Sequence, residues 1–270
     1  MRGDEIATMQ RPASRQKTLA LVLYVARRDL ARRYAGSALG AAWAVAFPIL
    51  QISVFWAVAA YGLRLGARSD IPLGVLLIAG MTPWFVVSDA LGGMTNAFTA
   101  NAALLKRLIV PAAIMPLAGL VAALMVHGAI LAAAILLLWA LGHPPGPRLA
   151  LLLYFAGCAS LFALAAGTLL ALGNAALRDI GQILGPVLLL WFWATPIVWP
   201  AESLPAQLQA AVTWNPLAYL VEGYRFALLG APARFPPLEA SVAFWIVTAS
   251  LCLLAILAFN RFKRELADFL

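Results

Sequence analysis

Charge and the usual residues of catalysis are scarce in this 270-residue chain. Asp, Glu, Lys and Arg together make up 11% of it, and there are only three lysines, two histidines and two cysteines. None of Lys17, Lys106 and Lys263 follows a glycine, so no GxxxxGK[ST] loop is available to cradle a nucleotide. His127 and His143 stand apart from any HExxH, and no GxSxG is present. Cys158 and Cys252 fit neither a CxxC nor a zinc spacing; both sit inside apolar segments and read as small packing residues. Catalysis needs paired acids, a metal set or a nucleophile with its base, so no catalytic, cofactor-binding or metal-binding residue is expected. The first 18 residues are polar, carry four basic residues and lack an apolar h-region, which predicts no cleavable signal.

What the chain has instead is apolar length. Hydrophobic residues make up 64%, which points to a helical protein that crosses the membrane several times. The runs are apolar all round, without the alternation of a membrane barrel. The net charge of +8 sits mostly at the ends of apolar runs. It therefore reads as a signal for orientation and anionic lipid, not nucleic acid.

Breakers and charges divide the chain. Residues 1–18 form a polar tail. Over 19–37 an amphipathic interfacial helix is expected, with Leu19, Leu23, Ala26, Leu30 and Tyr34 on one face and Arg27, Arg28, Asp29 and Arg32 mostly on the other, and with Asp29 and Arg33 four apart to pair. A transmembrane unit over 38–260 follows, with spans near 38–63, 72–97, 112–141, 149–172, 183–199 and 240–259. Pro48 is expected to kink the first, and GHPPGPR (142–148) is a turn written in breakers. An inner loop is expected over 174–182 and a cytoplasmic tail over 261–270. Residues 201–238 are long, partly apolar and interrupted by Asn215-Pro216, Glu222 and Arg225; they read as two short helices that enter the outer leaflet and return, which must be buried in protein or line a wet cavity. Ten basic residues fall on the proposed inside and five on the proposed outside, which predicts both termini in the cytoplasm.

Two features stand out. Between Ile71 and Pro147 the only charges are Asp89, Lys106 and Arg107. That run suits two crossings, with Lys106-Arg107 marking a cytoplasmic turn between them. Ala102 to Leu105 can form a short helix with the cations near its C-terminal end, where the dipole favours them; it could dock on a soluble partner or simply set topology. Asp89 is a carboxylate within a span, a functional candidate by default, although a bond to helix backbone or to a Ser, Thr or Asn neighbour is the plainer expectation.

Several stretches carry a resemblance: RRDLARRYAGSALGAAWAVAFP (27–48), GMTPWFVVSDALGGMTNAFTANAALLKRLIVPAAIMP (80–116), NAALRDIGQILGPVLLLWFWATPIVWP (174–200), WNPLAYLVEGYRFALL (214–229) and FKRELADFL (262–270). In this order they resemble the ABC-2 type permeases of polysaccharide-export ABC transporters over nearly the whole chain, with the O-antigen and teichoic-acid branches closer than the capsule branch. The resemblance implies an all-α, six-span, ABC-2 (type V) exporter fold in the inner membrane of a bacterium. It implies a homodimer served by two copies of a separate P-loop ATPase, which binds ATP and magnesium, and a lipid-linked polysaccharide as substrate. By the same resemblance the coupling helix lies at about 101–110, with Asn101, Leu104, Leu105, Lys106 and Arg107 meeting the ATPase. Arg27, Arg28, Arg32 and Arg33 would meet lipid or pyrophosphate head groups, since Arg suits phosphate geometry.

A polar glycan needs a path lined by water or by aromatic faces. Trp43, Phe47, Gln51 and Phe55 recur every four residues on the first span, and Trp191 and Trp193 crowd the fifth. With Trp84, Trp214, Tyr219 and Tyr224 they form the candidate channel lining, against the plainer readings of interface belt and helix packing. An ABC-2 permease for a drug or another lipid, a membrane-embedded enzyme acting on a lipid-linked sugar, and a channel or carrier without ATP remain the alternatives.

Overall fold

The computed structural model describes residues 15–62, 71–106, 111–201, 204–230 and 233–262, and every regular element among them is helical. The chain opens with α1 (Arg15–Arg33). Gly36 (φ 78°) and Gly40 (φ 50°) then turn it through the left-handed region, which costs a glycine little. They lead into α2 (Gly40–Gly62), whose first turn is 3-10 and whose last is π. The helix continues past Pro48, which is buried along with Ala59. After Pro72 come α3 (Leu73–Thr95) and the short α4 (Ala102–Lys106). Next are α5 (Ile114–Ala140), α6 (Pro147–Ala176) and α7 (Asp179–Ala194). The last three are α8 (Ala206–Thr213), α9 (Pro216–Leu229) and α10 (Leu238–Phe262). By length and composition, α2, α3, α5, α6 and α10 can each cross a membrane.

At the centre stands α3. It packs against α5, α6 and α9, with α2 and α7 at its sides. Lipid tails are as apolar as leucine, so helices in a bilayer gain little by hiding leucines from them; close packing and polar contacts decide which helices meet. The residues of α3 suit that rule. Met94 fits between Gly119 of α5 and Gly167 of α6. A methyl group on Gly119 would come within 2.8 Å of Met94 Cγ, and one on Gly167 within 2.7 Å of its sulfur. On the opposite side of the packing, Tyr219 of α9 stacks on Phe244 of α10, with ring centroids 4.5 Å apart.

A second apolar core lies at the end where α1 and α4 gather, here termed the basic end. Val22, Val25 and Ala26 pack there with Phe98, Leu105, Ile114, Met115 and Leu172. Of the apolar face expected for α1, Ala26 is buried and Leu23, Leu30 and Tyr34 are half-buried, whereas Leu19 is exposed and Val22 and Val25 join the contact. Residues 19–26 (LALVLYVA) are apolar on every side, so their periodicity does not select a face.

Two boundaries also shift. The loop expected over 174–182 is largely helix: α6 runs to Ala176 and α7 starts at Asp179. Asn174 is buried in the tight joint. Its amide donates to the Thr95 carbonyl (3.1 Å) and to Asn96 Oδ1 (3.2 Å), and its side-chain oxygen accepts the Gly181 N–H (2.8 Å). The run expected to span 183–199 is a helix of 16 residues ending at Ala194. That is about 24 Å long, short of the roughly 30 Å of a bilayer core. The backbone beyond it is irregular, and Arg225 of α9 donates to the carbonyls of Pro196 (3.2 Å) and Ile197 (2.6 Å). A methyl group on Gly80 of α3 would come within 2.9 Å of that guanidinium, so the glycine makes the slot it occupies. Buried carbonyls without donors are costly, and one arginine supplies two here.

Candidate functional site

At the basic end, α1 and the α3–α4 corner are joined by two arginines. Arg33 Nη1 donates to Asp89 Oδ1 at 2.7 Å. The pair lies over Gly93, one turn beyond Asp89 on α3, where any side chain would collide with the guanidinium. The other Asp89 oxygen, Oδ2, is buried and takes no hydrogen bond among the described residues. Tyr34 completes the cluster. Burial raises its hydroxyl above the usual phenol range, and the Asp89 carboxylate adds to the rise, so the phenol stays neutral. Two expectations are corrected here. Asp89 bonds an arginine in place of backbone or a Ser, Thr or Asn neighbour. Arg33 in turn reaches across to α3 instead of pairing with Asp29, four residues back on its own helix.

Asp29 pairs instead with its neighbour Arg28, Nη2 to Oδ1 at 2.9 Å. The same Nη2 donates to Asn101 Oδ1, and Asn101 holds itself in place by donating to the Ala97 carbonyl at 2.9 Å. Among the expected coupling residues, Asn101 and Leu105 are buried toward α1, Leu104 is half-buried and Lys106 ends α4. Arg107 lies outside the described residues, as do 263–270 of the tail. Arg27, Arg32 and Arg33 are exposed and Arg28 is half-buried. Of the four arginines expected at head groups, Arg28 and Arg33 bond other helices or loops of the fold, and Arg27 and Arg32 project from it.

The expected channel residues fall into two groups. Trp43, Phe47, Trp193 and Trp214 are exposed, and Gln51, Phe55 and Trp191 are half-buried. Trp84, Tyr219 and Tyr224 are buried inside the packed chain and face no open surface in this conformation. The two stripes read from sequence do meet. Phe55 of α2 lies 5.1 Å from Phe192 and 5.8 Å, edge-on, from Trp193 of α7. Trp84 of α3 stands edge-on to Phe192 (5.2 Å) and Trp191 (6.5 Å). The buried tyrosines keep their hydroxyls partnered: Tyr219 with Tyr154 (3.0 Å) and Tyr224 with His127 Nε2 (3.0 Å).

Asn215, at the start of α9, joins that helix to this ladder. Its side-chain oxygen caps α9 by accepting the Leu217 N–H (3.1 Å) and also accepts Trp191 Nε1–H (2.9 Å), while its amide donates to Thr195 Oγ1 (2.9 Å). Asn-Pro ahead of an apolar helix is a legible start signal, but the bonds to α7 have no signature in sequence. The same holds for the glycine slots at 80 and 93. Among the described residues, no three His, Cys, Asp or Glu side chains come close enough to share a metal ion.

The chain is similar to proteins of known name along its length. It is 24% identical over 260 residues to an O-antigen export system permease protein, RfbA, of Klebsiella pneumoniae, which covers 93% of this chain and 95% of the relative. It is 27% identical over 251 residues to the protein of the same name from Myxococcus xanthus, covering 92% and 94%. The family model described as ABC-2 type transporter matches residues 20–229. With that match over most of its length, and with its long apolar helices, the chain belongs to the ABC-2 type transporter family.

Proposed function

We propose that this protein is the permease subunit of an ABC exporter that moves a lipid-linked polysaccharide outward across the bacterial inner membrane. It is a transport subunit, and a separate P-loop chain, in two copies, binds ATP and magnesium and supplies the energy. The observation that carries this reading is the end-to-end match to two permeases named for O-antigen export. Two copies of the chain pair through the faces that α2 and α7 leave open. Between them Trp43, Phe47, Gln51, Phe55 and Trp193 line a path on which sugar rings pack. In support, α2 buries only 6% of its most apolar stretch within one copy. α7 buries only Phe192.

On this reading both termini face the cytoplasm, and α7 with the irregular 195–200 segment makes the fifth of six crossings. α8 and α9 re-enter from the outside. The Arg225 bonds to the Pro196 and Ile197 carbonyls support that depth, since irregular backbone in a bilayer must be satisfied by protein. Residues 101–110 form the coupling helix, and the exposed Arg27 and Arg32 meet phosphate head groups. The test is purification in detergent, followed by an ATPase assay with and without undecaprenyl-pyrophosphate-linked glycan. Co-purification of a P-loop subunit with glycan-sensitive hydrolysis is expected; a chain that comes alone and hydrolyses nothing overturns the reading. Lys106→Glu with Arg107→Glu should cut co-purification of the ATPase roughly tenfold, the loss of two close charge contacts at an interface, while the protein still inserts. Undiminished co-purification would remove the coupling assignment.

A further inference from the structure

We infer that Arg33 and Asp89 are positioning residues for transport: their ion pair ties the far end of α1 to α3, so that α1 moves with α3 when the coupling segment that follows α3 is displaced. This rests on the exporter reading above and adds to it a path and two residues.

The path is continuous on three independent contacts. The coupling segment is joined to α1 by the Arg28–Asn101 bond. It is joined again by packing: Phe98 and Leu105 share one core with Val22, Val25 and Ala26 of α1. The far end of α1 is then joined to α3 by Arg33–Asp89 at 2.7 Å over Gly93. Five residues, between one and two helical turns, separate Arg28 from Arg33 on α1. A short rigid helix thus carries one cation for each of its two partners. Displacing the α3–α4 corner therefore carries α1 with it at two points.

The chemistry favours a mechanical role over a purely structural one. The Arg33 and Asp89 side chains keep 28% and 31% of their surface exposed, and a partly exposed ion pair contributes little to stability. Asp89 Oδ2 is nonetheless buried and takes no hydrogen bond among the described residues. Gly93 gives up helix stability relative to alanine, and its lack of a side chain leaves room for the guanidinium. What the pair provides that apolar packing does not is a directional link between two named groups on different helices.

The experiment uses the purified complex of permease and ATPase in vesicles of phosphatidylethanolamine and phosphatidylglycerol. Undecaprenyl-pyrophosphate-linked glycan is the transported probe, and the readout is glycan moved per ATP hydrolysed. Arg33→Asp and Asp89→Arg should each retain the ATPase at the wild-type ratio and hydrolyse ATP, yet move roughly tenfold less glycan per ATP, the scale of a site-to-site coupling. The exchanged double variant should recover most of that loss, and Arg33→Lys should fall between. If a charge-reversed chain fails to accumulate, Asp89→Asn, of the same shape, replaces it with the same expectation. Wild-type glycan per ATP in the single variants overturns the tie. So does an exchanged double variant no better than the singles, which would mean that each residue acts alone. A wild-type complex that lacks an ATPase overturns the exporter reading and the tie with it; a working wild-type complex with indifferent variants overturns the tie alone.

Discussion

Helices α2 and α3 are sequence neighbours of 23 residues each, both apolar enough to cross a bilayer, and their surroundings could hardly differ more. The most apolar stretch of α2 is 6% buried and that of α3 is 72% buried. Overall apolarity does not distinguish them; side-chain size and polar handles do. Between its terminal glycines α2 has no further glycine and only Gln51 and Ser53 as polar side chains besides Tyr61, and it presents Trp43, Phe47, Phe55 and Trp56. α3 carries Gly80, Gly92 and Gly93 together with Thr82, Asp89 and Thr95. In a solvent as apolar as the side chains, small residues admit neighbours and polar ones bond them. α3 is thus built to be surrounded within one copy. α2 is built to be left open, for lipid, for a second copy or for a sugar.

That contrast can be broken at matched positions. Trp84→Ala on α3 should have the largest effect, because Trp84 is buried against Phe192 and Trp191. Removing a large buried aromatic costs about 3 kcal/mol or more, read as a marked drop in the thermal midpoint of the protein in detergent. Asn215→Ala should follow at about 2 kcal/mol, a lost helix cap together with lost bonds to Trp191 and Thr195. Asn215→Asp keeps an acceptor for the cap and should recover part of the loss. Smallest in stability should be Trp43→Ala at an exposed position of α2, within about 0.5 kcal/mol, with Gln51→Ala at a half-buried one slightly above it, while glycan export falls by more than the thermal midpoint predicts. If Trp43→Ala instead destabilises the protein as much as Trp84→Ala, α2 is a packing helix and the contrast fails.

The sequence was most informative where the signal is local. The runs read as 72–97 and 112–141 are helices over 73–95 and 114–140, since each is an apolar stretch bounded by breakers. The turn expected over 142–148 occupies 141–146, and α6 begins at Pro147. At the basic end, the short helix expected over Ala102 to Leu105 is present over Ala102–Lys106, and Leu105 and the preceding Asn101 are buried. What sequence did not disclose are pairings over distance. Arg33 and Asp89 are 56 residues apart, and Arg28 and Asn101 are 73 apart. Nothing in the composition of either helix names the other. Asn174 misled for the same reason: a polar residue near Arg178 reads as loop, until the Thr95 carbonyl satisfies it inside a helix.

The slot at Gly80 has a consequence for how the protein is made. Arg225 fills it and donates to carbonyls at 196 and 197, yet a ribosome releases α3 long before it reaches α9. At roughly 5–20 residues per second, α3 waits in the membrane on the order of ten seconds before its partner arginine exists. During that interval the notch stands open to lipid, and the segment after α7 has no guanidinium to hold its carbonyls. Insertion of the early helices and docking of α9 are therefore separate events in biogenesis. A nascent chain truncated before residue 225 should already hold its first helices in the bilayer and still lack the guanidinium that fills the notch at Gly80.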